Sequence, residues 1–97
     1  MLIKLGVSVE KLSHNIRRAL GLVEEAHLRL AGEEAVITST YEGNHGPGSL
    51  HYGNEGIDFR RAKKSFSEIA ASLKTSLGAN YDVAVEGDHL HVEWDPK

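Results

Sequence analysis

The sequence predicts an α+β domain with a small, mostly antiparallel sheet, and three observations carry that expectation. A helical apolar periodicity runs through the first third of the chain. Short β-branched stretches separated by a glycine-rich segment occupy the middle. The C-terminus alternates apolar and polar residues on both sides of a tight turn, the pattern of a hairpin. With 97 residues there is material for one hydrophobic core, so residues 1–97 are expected to form a single domain.

Each element has its own signal. Leu12, Ile16, Ala19, Val23, Ala26 and Leu30 recur at steps of three and four, which places them on one helical face. A helix is expected over residues 8–31, with Ser8 as N-cap, Glu10 in the first turn where the helix dipole favours an acid, and Gly32 as the C-terminal stop. Residues 35–40, Ala-Val-Ile-Thr-Ser-Thr, read as a strand. Gly43, Asn44, Gly46, Pro47 and Gly48 then mark a loop, and a short strand is expected over 56–59. Phe66, Ile69, Ala70, Leu73 and Leu77 give a second amphipathic helix over 62–77, closed by Gly78. Tyr81, Val83 and Val85 alternate on one side of the Glu86-Gly87-Asp88 turn, and Leu90, Val92 and Trp94 on the other.

Composition narrows the function. Without cysteine there is no disulfide framework, Cys-based zinc finger, iron–sulfur cluster or thiol nucleophile. A formal net charge of −3 argues against a nucleic-acid partner held by phosphate neutralisation. The apolar stretches are far short of a membrane span, and Met1-Leu2-Ile3-Lys4 does not open a secretory signal. The chain is therefore expected to be made in the cytoplasm, as a monomer.

Four of the six histidines lie in two short segments, His45 and His51 in one, His89 and His91 in the other. Residues i and i+2 of a strand share a face, so His89 and His91 project together while Leu90 and Val92 point into the core. Spacing leaves two readings of this pair open: a metal or acid–base site, and two exposed histidines on an edge strand. His51 and Asp58 are seven apart and share a face only if the glycines between them bend or bulge the chain. Together His51, Asp58 and His91 would supply the two imidazoles and one carboxylate that suit a catalytic Zn²⁺. His45 is expected to be an exposed loop residue, and His14 and His27 to face solvent or the edge of the apolar stripe. Trp94 is expected to anchor the core, and the cationic residues Arg60, Arg61, Lys63 and Lys64 to form a solvated helix start.

Ser49-Leu50-His51-Tyr52-Gly53, followed by Gly56-Ile57-Asp58-Phe59, resembles the first zinc motif of the LAS metallopeptidases, the group that unites lysostaphin, the D-Ala-D-Ala peptidases and the hedgehog signalling domain. Asp88-His89-Leu90-His91 is similar to their second motif, and the resemblance spans about residues 36–94. It implies a hedgehog/DD-peptidase-like fold with His51, Asp58 and His91 as zinc ligands. It implies Asp88 as general base, with Glu86 as the alternative, and His89 beside the metal. Ser49 would bind substrate, and Tyr41 and Tyr52 would flank it, although packing roles suit both tyrosines equally. The implied activity is hydrolysis of peptide bonds in peptidoglycan stem peptides or cross-links, at the cell wall after release or phage delivery. Many bacterial members carry an Arg where this chain has Glu42, which favours an endopeptidase over a D-Ala-D-Ala carboxypeptidase. The alternative function is a zinc-bearing, non-catalytic hedgehog-like binding or structural module.

Overall fold

A computed structural model describes residues 1–40 and 55–96. Its elements are β1 (Leu2–Ile3), α1 (His14–Ala31), β2 (Val36–Ser39), β3 (Gly56–Arg60), α2 (Phe66–Leu77), β4 (Tyr81–Val85) and β5 (His89–Trp94). The strands form one five-stranded mixed sheet in the order β1-β2-β3-β5-β4. β1 runs parallel to β2, and every other pairing is antiparallel. The expected α+β architecture is present. The two-residue β1 adds a parallel edge that no periodicity could announce, because two residues cannot display a period.

Helix α1 starts later than residue 8. Ser13 is the N-cap, and its Oγ accepts a hydrogen bond from the Ile16 N–H at 3.2 Å. Arg17 explains the difference. Its guanidinium donates to the carbonyls of Val9, Glu10 and Leu12, which holds that segment against the helix without letting it continue the helix. Ser8 and Glu10 therefore precede the helix, and Ser8 offers its carbonyl to Thr40 Oγ1 at 2.6 Å. At the other end Gly32 adopts φ 68°, the left-handed conformation glycine tolerates best, and closes the helix as expected.

Helix α2 is also shorter at its start than the expected 62–77. Ser65 takes φ 59° and provides no side-chain cap, and the Lys63 N–H is committed to Glu33 Oε1 at 2.9 Å. Ala62 is nevertheless buried, so the lead-in over residues 61–65 packs against the core although it bends at Lys63 and Lys64. Strand β3 runs one residue beyond the expected 56–59, to Arg60.

One core joins both helices to one face of the sheet. Ile16, Val23 and Ala26 from α1 meet Phe66, Ile69 and Leu73 from α2 over Ile37, Ile57, Phe59, Leu90 and Val92. Trp94 packs at its margin, edge-on to Tyr81 with ring centroids 5.0 Å apart, as a core anchor should. Among the described residues no helix is long and apolar enough to cross a membrane.

Candidate metal centre

The face of the sheet away from that core carries titratable side chains. In β3, Ile57 and Phe59 are fully buried, so Asp58 and Arg60 point to the other side. In β5, Leu90 and Val92 are fully buried, so His89, His91 and Glu93 point the same way as Asp58. The antiparallel register then makes neighbours of them: Asp58 lies opposite His91, Arg60 opposite His89, and Gly56 opposite Glu93. Between Ile37 and Ser39 the β2–β3 register shifts, and this irregularity sets Ser39 opposite Asp58.

Carboxylates and imidazoles alternate along this face. His89 Nδ1 donates to Asp88 Oδ1 at 2.7 Å, and the Nε2 of the same ring stands 3.8 Å from Asp58 Oδ2. His91 Nδ1 donates to Asp58 Oδ1 at 2.6 Å, and its Nε2 lies 2.5 Å from Glu93 Oε1. Asp58 and His91 are only 15% and 16% exposed at their side chains, whereas Asp88 is 93% exposed. Burial pushes the His91 imidazolium down, but hydrogen bonds to Asp58 and Glu93 outweigh it and hold the group above its ordinary value. The hydrogen bond from His89 holds the Asp88 carboxyl below the usual range.

Asp58 and His91 fit two places in a zinc ligand set. They are adjacent, sheltered, and offer an oxygen and a nitrogen donor to the same space. Their present contact is a hydrogen bond, so binding a cation there would displace the proton between them. His51, the expected third ligand, lies outside the described residues, as do Ser49, Tyr41, Tyr52, Glu42 and His45. Among the described residues no group of three His, Asp or Glu side chains is arranged to hold a metal. Asp88 and Glu86, the two candidate bases, sit in the β4–β5 turn, where the Glu86 N–H closes the hairpin on the His89 carbonyl at 2.9 Å.

Sequence reasoning passed over Glu93. Its signal was available, because it stands two residues beyond His91 and so shares that face of the strand. It also misplaced His27, which is buried in the core at 1% exposure. His27 lies four residues after Val23, and that step keeps it on the apolar stripe. His14 is exposed, as expected. Compared with protein-family models, with curated proteins and with solved structures, the chain matches none.

Proposed function

We propose that this chain is a zinc-dependent peptidase of the LAS type, with a hedgehog/DD-peptidase-like fold, that hydrolyses peptide bonds in peptidoglycan stem peptides or cross-links. The observation that supports it most is the adjacency of Asp58 and His91 on the open face of the sheet, two residues that come from different motifs 33 positions apart. With His51 they would hold the ion. Bound zinc supplies Lewis acidity, polarising a substrate carbonyl and lowering the pKa of water toward ~7. The ion would take the place of the proton between Asp58 and His91 Nδ1, while Glu93 would hold the His91 ring through Nε2. Asp88 takes a proton from the attacking water and delivers it to the leaving amine, for which it must leave His89 and turn toward Asp58. The enzyme acts as a monomer, at the cell wall after release or phage delivery, and the acidic Glu42 favours an endopeptidase.

A second reading draws on Asp88. Its carboxylate is fully solvated and engaged by His89, and its lowered pKa makes it a weaker base. Those features favour a zinc-bearing binding or structural module without turnover. Purified protein should bind about one equivalent of zinc under either reading. Mass-spectrometric muropeptide assays separate them: the peptidase cleaves, and loses cleavage on Asp88→Ala and on His91→Ala. Full cleavage surviving both substitutions would exclude the mechanism.

A further inference from the structure

Where the C-terminal end of α1 and residues 33–36 meet the end of β3, the protein forms a half-open cavity of about 220 Å³. At ~30 Å³ per water that is room for about seven waters, or a small organic molecule. Its wall combines apolar surface from Leu2 and Val36 with the cationic side chains of Arg60, Arg61 and Lys63. Two carboxylates, Glu33 and Glu34, complete the polar part, and both are engaged. Glu33 accepts the Lys63 backbone N–H, and Glu34 accepts the Met1 ammonium at 2.8 Å. Arg61 is engaged as well, donating to the Gly87 carbonyl at 3.2 Å and lying 4.7 Å over the Phe66 ring. The Arg60 guanidinium and the Lys63 ammonium have no side-chain partner among the described residues.

His27 forms part of the same wall and is 1% exposed. Its Nδ1 lies 2.8 Å from the Val23 carbonyl, which can only accept, so Nδ1 carries the proton. Nε2, on the ring edge away from that carbonyl, is left as a buried acceptor with no partner among the described residues. An orphaned buried polar atom of this kind is unfavourable, and a ligand donor would restore its hydrogen bond.

We propose that this cavity is a binding site for a small organic acid. Arg60 and Lys63 hold its oxyanion, carboxylate or phosphate, Leu2 and Val36 cover a short apolar stem, and a hydroxyl or N–H of the ligand donates to His27 Nε2. The site stands independently of the zinc reading, since none of these residues belongs to the proposed ligand set. It lies at the far end of β3 from Gly56, and Arg60 belongs to both the cavity wall and the open face.

The test is an NMR titration of the full-length, isotope-labelled chain with 2-hydroxy-4-methylpentanoate, 4-methylpentanoate and inorganic phosphate. Saturable shifts of the His27 ring and of the Arg60 and Lys63 signals are expected, with a Kd of about 1 mM or tighter for the best probe. Tighter binding of the hydroxy acid than of its deoxy analogue identifies the carboxylate and the donor; preferential binding of phosphate identifies a phosphate ligand. Arg60 and Lys63 are exposed, so Arg60→Gln/Lys63→Gln should fold normally and bind about tenfold more weakly. No saturation with any probe up to ~10 mM, or binding unchanged in that double variant, would overturn the proposal.

Discussion

The two faces of the β3–β5 ladder differ in chemistry while sharing one backbone. On one side Ile57, Phe59, Leu90 and Val92 are wholly enclosed; on the other Asp58, Arg60, His89, His91 and Glu93 reach solvent to different degrees. The core face is held by many apolar contacts that depend on close packing rather than on any one directed bond. The open face is specific, because each imidazole has a named carboxylate at hydrogen-bonding distance. Register couples the faces: shifting β5 by one residue would expose Leu90 and Val92 and bury the histidines in the same move. The hydrophobic pattern thus puts Asp58 on the same face as His91, and the register of β3 against β5 then sets the two opposite each other.

Substitutions can separate the faces. The largest effect is expected from Phe59→Ala, which empties a fully buried site in the central strand and should cost ~3–5 kcal/mol in denaturant unfolding. A loss far smaller than that would mean the core tolerates collapse at β3. Next comes His91→Ala. With zinc at a hundredfold excess over its Kd, the parent chain should gain ~2.7 kcal/mol against unfolding, and the variant should gain little or nothing. An equal gain in both would detach His91 from the metal.

Ser13→Ala should cost ~1 kcal/mol by loss of the N-cap, whereas Ser8→Ala should leave helix α1 intact; thermal unfolding followed by circular dichroism reads both. The smallest effect concerns pH. His91 titrates above its ordinary value of ~6.5 in the folded, metal-free chain, so its contribution is complete below pH ~6.5 and is lost as pH rises through the folded value. Melting temperatures of the metal-free protein should drift down across that window, and His91→Ala should remove the drift. Zinc reverses the sign, since it needs a deprotonated ring nitrogen. Its stabilisation should grow as pH rises.

Much of the fold was legible because it rests on periodicity. Gly32 ended α1 where expected, and Leu90 and Val92 turned inward as alternation requires. Helix starts were less legible, because they depend on long-range contacts. Ser8 and Ser13 are both good N-cap residues by type, and the choice between them is made by Arg17 clamping the carbonyls upstream. The 62–77 helix starts only at Phe66, because the chain bends at Lys63 and Lys64 and Ser65 takes a left-handed conformation. Within the site, the pairing of His89 and His91 followed from alternation within one strand. The adjacency of Asp58 to His91 needed the strand order, which spacing alone does not contain. His27 was misread because residue type was weighed over position: a histidine suggests solvent, but its place on the helix dictates burial.

Strand β3 occupies the middle of the sheet, with β2 along one edge and β5 along the other. In hydrogen exchange that position should give it the slowest class of amides, those that open only when the whole domain unfolds, while the two residues of β1 should fray at little cost. Asp58 therefore sits on the last strand to let go. Its carboxylate is thus tied to the strand expected to open last, whereas Asp88 stands in the exposed turn between β4 and β5.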